Sequence, residues 1–175
     1  MSKNYGVILD DVFASHLVPT GHPERPERIQ SILEKLERWQ GFSQLKIMPV
    51  LPALEEWILD VHTQEHFDRV KSTAGQTTHQ FDSDTYTSQS SFEIALKAAG
   101  SIVSMVEPLL AGEIDNGFAL VRPPGHHAES SRAMGFCLFN NVAVAAQFSI
   151  RSQKVNRVAI VDFDVHHGNG TQEIF

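Results

Sequence analysis

The sequence predicts an α/β fold built on a mostly parallel sheet, and three observations predict it. Short apolar runs of strand length stand at Tyr5–Leu9, Leu45–Val50, Phe118–Val121 and Val158–Val165. Between them, apolar residues recur at helical spacing, and this alternation of strand and helix is that of βαβ units. The last two runs each open into a turn bearing paired histidines and glycine, at the edge where open α/β sheets collect their sites.

Taken in order, Tyr5–Leu9 reads as a short buried strand, followed by a loop with His16 and then His22-Pro23-Glu24-Arg25-Pro26-Glu27-Arg28. Pro26 suits the first turn of a helix that Ile29, Ile32, Leu33 and Leu36 continue. Leu45–Val50 is the second strand. Beyond Pro52, Thr63 caps a helix carrying Phe67 and Val70. His62 and His66, four apart, match the spacing of two ligands on one helix face, yet no third ligand stands near them, so they read as structural.

Thr73 to Ser88 is polar and reads as a long surface loop, in which Asp82 and Asp84 are either rim carboxylates of a site or solvated turn residues. Ser90-Ser91-Phe92-Glu93 has the form of a capping box opening an amphipathic helix through Phe92, Ala95, Leu96, Ala99 and Val103, which Pro108 helps to end. After the strand at Phe118–Val121, Asn140 or Asn141 caps a helix through Val142, Ala145 and Ala146.

At 175 residues, 42% hydrophobic and 20% charged, the chain reads as one domain. The formal charge of −7 argues against direct nucleic-acid binding. Cys137 is the only cysteine, so no disulfide forms within the chain and a reducing, cytoplasmic compartment is expected. The N-terminal apolar run, Gly6 to Leu9, is too short for a signal-peptide core or a membrane span, and no membrane association is expected.

The chemistry concentrates in Val158 to Thr171. On an extended chain Val158, Ile160, Asp162, Asp164 and His166 share one face. Carboxylates on a strand buried on both sides require a positive partner, and zinc accepts Asp oxygen and His nitrogen together. Asp164 and His166 are therefore the candidate metal ligands, with Gly168 and Gly170 turning the backbone sharply beyond them. The plainer alternative is a strand ending in a polar turn, its GxG holding a phosphate.

Arg122-Pro123-Pro124-Gly125-His126-His127-Ala128 presents a second histidine pair after a strand, so both pairs converge on one edge of the sheet. His126 and His127 either ligate the metal or act as general base and acid on bound water, with Asp162 orienting one ring. For His167 a structural role is expected.

In family order, His22 to Pro26, Arg122 to Ala128, Gly135-Phe136-Cys137 with Asn140-Asn141, and Asp162 to Thr171 resemble the signatures of the zinc-dependent histone deacetylases, a family that includes acetylpolyamine amidohydrolases. The resemblance implies the three-layer α/β/α arrangement of the arginase-deacetylase fold. It spans residues 1–175 but only about the first half of the family's catalytic domain. By resemblance, Asp164 and His166 match zinc ligands, and His126 and His127 match the tandem histidines that move protons. Asp162 and Asn169 stand in the places of their hydrogen-bond partners. Gly135 and Phe136 match the wall of an acyl-lysine tunnel, and Asp84 matches a rim carboxylate that holds substrate backbone. Asp162, Asp164, His166 and Phe175 match positions around potassium. Arg25 corresponds loosely to an arginine beneath the site.

The implied reaction is hydrolysis of acetyl-lysine in proteins or of acetylated polyamines. The family's third zinc ligand, an Asp, and its oxyanion-binding Tyr belong to the second half of its domain and have no counterpart here. Little activity of this chain is expected, as is association of copies into a homo-oligomer through an exposed strand edge. An arginase-like ureohydrolase with two manganese ions and a non-catalytic binding module are the competing readings.

Overall fold

The computed structural model describes residues 3–152 and 154–175. Its main sheet is parallel, as expected, with β1 (Tyr5–Ile8) between β2 (Leu45–Ile47) and a strand at Asn116–Ala119. Register pairs Val7 with Ile47 on one side and with Phe118 on the other. The second strand ends three residues earlier than its apolar run, and the third is displaced two residues toward the N-terminus.

Thr73 to Ser88 is not a featureless loop. It holds a short antiparallel hairpin of β3 (His79–Gln80) and β4 (Tyr86–Thr87), with Thr73, Thr85, Thr87 and Ser88 buried. The strand at Asn116–Ala119 is accordingly β5.

Among the described residues six α-helices surround these strands: α1 (Glu27–Glu37), α2 (Glu55–Leu59), α3 (Gln64–Lys71), α4 (Ser91–Leu110), α5 (Asn141–Arg151) and α6 (Asn169–Ile174). Thr63 caps α3 by accepting from His66 N–H at 3.2 Å, and Asn140 caps α5 by accepting from Ala143 N–H at 3.1 Å. The capping box at α4 does not form. Ser90 has helical backbone angles and makes no cap bond, while the Ser91 hydroxyl accepts from Ser88 N–H at 2.7 Å. Pro108 lies inside the last turn of α4.

The 20-residue helix α4 is the spine because it faces two cores at once. Ala95, Ala99 and Val103 join Ile58, Phe67, Val70, Leu138, Phe139 and Val144. Ile94, Ala98 and Met105 join Ile8, Phe13, Ile29, Met48 and Ile114. Small residues on α4 bring its backbone close to its neighbours, so that a Cβ on Gly100 would sit 2.2 Å from Ala53 N.

The largest departure is Val158–Val165. The segment is irregular and exposed, with Val161 at 84%, Phe163 at 96% and Val165 at 91%. No strand pairs with it among the described residues. Alternating apolar residues make a segment ready to be a strand, but the ladder belongs to two segments, and a neighbour is required to form it.

Candidate functional site

The tandem histidines sit in the turn that follows β5, with ring centroids 4.1 Å apart. His126 Nδ1 donates to Asp162 Oδ2 at 2.8 Å and His127 Nδ1 donates to Asn169 Oδ1 at 2.6 Å. With both Nδ1 atoms engaged, each Nε2 is the nitrogen left for chemistry. The turn is tied to the far end of the sequence by α6, whose Gly170 and Thr171 N–H groups donate to the His126 carbonyl at 3.0 and 3.2 Å.

Neither Gly168 nor Gly170 has a positive φ. They serve through space: a Cβ on Gly168 would lie 2.5 Å from Asp162 Oδ2, and one on Gly170 would lie 2.2 Å from Ala128 O. A side chain at Gly170 would have to move the backbone of the turn that carries the histidines, and one at Gly168 would displace the Asp162 carboxylate from His126.

Asp162 to His166 form successive turns. Asp162 Oδ1 accepts from Asp164 N–H at 3.2 Å, and Asp164 Oδ1 accepts from His166 N–H at 2.8 Å. The hydrogen bond from His126 holds the Asp162 carboxyl below its ordinary range, and the His166 N–H does the same for Asp164. Both carboxylates are partly exposed, so burial does not by itself demand a cation here. What matters instead is convergence: Asp164 Oδ1 and His166 Nδ1 face each other at 3.0 Å. Two tetrahedral zinc ligands of these types stand roughly 3.3 Å apart, so this pair fits one ion with little adjustment. The described residues contain no group of three or more His, Cys, Asp or Glu side chains placed to hold a metal.

The opposite wall is a tight reverse turn. Met134 and Cys137 exchange backbone hydrogen bonds around Gly135 and Phe136, which have φ of +56° and +70°. A turn with both central residues left-handed suits glycine, and holding a phenylalanine there costs about 1–3 kcal/mol. Phe136 is held because its N–H donates to Thr85 Oγ1 at 3.0 Å and its ring meets His22 edge-on, centroids 4.7 Å apart. His22 Nε2 donates in turn to the Asp84 carbonyl at 2.9 Å, joining the wall to the rim loop. Burial and the adjacent Asp82 carboxylate push the Asp84 carboxyl up.

These pieces enclose a cavity of about 400 Å³ lined by Asp84, His126, His127, Gly135, Phe136, Asp164 and His166, together with Pro23, Glu24, Arg28 and Pro124. Asp162 and Asn169 stand behind the histidines. Phe175 lies with Asp162 and His167 at a separate cavity behind the turn, away from the tandem rings.

The arginine beneath the site is not Arg25, which is 58% exposed. The buried arginine next to the cavity is Arg122, held against the cavity-lining Glu24, and the sequence singles out neither beyond its motif. Arg122 also donates to the Phe13 carbonyl at 2.9 Å, and His16 Nδ1 pairs with the Ser91 hydroxyl at 2.8 Å beside them. The charged residues in the His-Pro-Glu-Arg and Arg-Pro-Pro runs were the available signal. His62 and His66 are structural, as their isolation implied. His62 Nδ1 donates to the Glu129 carbonyl and its Nε2 accepts from Asn140 N–H, each at 2.9 Å, while His66 Nε2 donates to the Leu138 carbonyl at 2.8 Å.

The class that this fold and site define is an α/β protein with a histidine-rich centre at the C-terminal edge of a parallel sheet. More narrowly, the model of the histone deacetylase domain matches residues 22–175, and the chain belongs to that family. It is 43% identical to Histone deacetylase 5 of Arabidopsis thaliana, over 99% of this chain and 28% of that protein. It is 38% identical to Polyamine deacetylase HDAC10 of Danio rerio, over 100% of this chain and 27% of that protein. With the Histone deacetylase-like amidohydrolase of Pseudomonas aeruginosa the identity is 39%, over 89% and 41%. The crystal structure of the HDA15 HD domain superposes with a TM-score of 0.93 at 40% identity, over 99% of this chain and 51% of that one. The chain thus spans about half of the solved domain and less than half of each of these curated relatives.

Proposed function

We propose that the chain carries the proton-handling half, and two of the metal ligands, of a zinc-dependent amidohydrolase that removes acetyl groups from lysine side chains or polyamines. The observation that carries this reading is the meeting of His126, His127, Asp164, His166, Gly135 and Phe136 on one cavity. Asp164 and His166 would hold zinc, which when bound polarises an acyl carbonyl and acidifies water.

The chain's own residues do the rest. Asp162 and Asn169 hold the two imidazoles with Nε2 free, so a ring accepts a proton from the attacking water at Nε2, and the imidazolium so formed delivers that proton to the leaving amine. Gly135 and Phe136 flank the acyl chain, and Asp84 at the rim meets the substrate's backbone or its cationic end. Potassium near Asp162 and Phe175 belongs to the same proposal, as do a cytoplasmic location and association of copies through Val161, Phe163 and Val165. No helix among the described residues is long and apolar enough to cross a membrane.

Zinc titration followed by NMR tests the reading. Zinc should shift the His166, His126 and His127 signals, Asp164→Asn should weaken binding at least about tenfold, and an acetyl-lysine peptide should then perturb Gly135 and Phe136 where its unacetylated form does not. Preference for two manganese ions would favour the ureohydrolase reading, and indifference to both metal and acetylation would favour a binding module.

A further inference from the structure

We infer that Glu129 is a positioning residue: it fixes which way round the Asn169 amide lies, and thereby which nitrogen of His127 carries the proton. The inference rests on the acid–base reading of His127 given above. An asparagine amide has an acceptor end and a donor end of nearly equal shape, and either could face an imidazole. Asp162, the partner of His126, has no such freedom, because a carboxylate only accepts. The two histidines therefore differ in what their partners need: the amide requires a third residue to orient it, and the carboxylate does not.

Glu129 supplies that orientation. Asn169 Nδ2 donates to Glu129 Oε1 at 2.9 Å, with Met134 Sδ 3.4 Å from the same nitrogen. An ionised carboxylate can only accept, so the amide nitrogen must face it and the amide oxygen must face His127. Nδ1 of His127 is then the protonated nitrogen and Nε2 is left as the base in the cavity. Reversing the amide would present its N–H to Nδ1, move the imidazole proton to Nε2, and set the amide oxygen against the Glu129 carboxylate. Glu129 is itself well held. Its N–H donates to the Arg132 carbonyl at 2.9 Å, and its own carbonyl receives the His62 Nδ1 proton at 2.9 Å.

The test is long-range proton–nitrogen NMR of the imidazole rings in the 175-residue chain, at a pH well above the ordinary imidazole value, where tautomers are read from the ring nitrogen shifts. The unaltered chain should show His127 as the Nδ1–H form. Glu129→Ala should shift its ring nitrogens toward the Nε2–H form, while Glu129→Gln, whose carbonyl still accepts, should keep the original pattern. Adding Asn169→Asp to Glu129→Ala should restore Nδ1–H, since an aspartate in that place needs no orienting. His126 should be unchanged throughout. Should Glu129→Ala not fold, Glu129→Met keeps the bulk without the oxygens and carries the same comparison. A folded Glu129→Ala or Glu129→Met chain with His127 still fully Nδ1–H, or a double variant that fails to recover it, overturns the inference. The readout contains no turnover, so a tautomer switch without any acetyl-amide hydrolysis would uphold the role of Glu129 and count against the hydrolase reading instead.

Discussion

Arg122 donates from Nε and a terminal nitrogen to the two carboxylate oxygens of Glu24, 98 positions earlier in the chain, at 2.5 and 2.7 Å. Both side chains are buried, and Glu24 also meets the exposed Arg28 at 3.3 Å. Removing Glu24 leaves a buried guanidinium uncompensated, at a cost of about 3–5 kcal/mol. Glu24→Ala should lower the stability measured by urea unfolding by that amount, and Arg122→Ala by less, because Arg28 still faces Glu24. The double variant should cost clearly less than the sum of the two. Additive losses would show that the pair does not act as a unit.

His16 and His62 are buried, and burial lowers the pKa of each from the ordinary 6.5 to about 4. The folded chain therefore resists protons that the unfolded chain accepts. Stability is fully present above the unfolded value of 6.5 and falls as pH drops through the interval down to about 4, by about 3 kcal/mol for each histidine. Urea midpoints measured across that interval should fall steeply. His16→Asn and His62→Asn should each flatten the slope, and a profile that is level throughout would contradict the assignment.

Gly135 lies under the His127 ring with φ +56°, and a Cβ there would sit 2.5 Å from His127 Cδ2. Gly135→Ala should combine a left-handed backbone penalty of about 1–2 kcal/mol with displacement of the imidazole. Gly168→Ala, aimed at Asp162 Oδ2, should break the hydrogen bond to His126 and shift the resonances of that ring. Gly75→Ala is the control. Its φ is +79° but nothing lies within 4 Å, so it should carry the backbone penalty and leave both imidazoles unchanged.

With two convergent donors and no third among the described residues, the 175-residue chain should hydrolyse acetyl-lysine peptides and acetylated polyamines slowly if at all. Zinc should bind weakly and be stripped by chelators without unfolding the protein, as judged by circular dichroism. Robust, chelator-sensitive turnover by this chain would refute the expectation.

The sequence by itself determined the parallel α/β class, a cap at Thr63 and one at Asn140 or Asn141, the family, and part of the cavity lining, from Asp84, His126 and His127 to Gly135, Phe136, Asp164 and His166. These were legible because each rests on near neighbours in the chain: a cap lies within one turn of the group it serves, and Asp162 to Asn169 carries its chemistry in a few consecutive positions. Only the tertiary structure decided that Glu24 pairs with Arg122, that His22 braces the Phe136 wall, and that Glu129 backs Asn169, because those partners are brought together by folding across tens of residues. It also decided against the strand at Val158–Val165. Alternation describes one segment's readiness to pair, whereas hydrogen bonds and burial require a second segment, which no pattern within the first can supply.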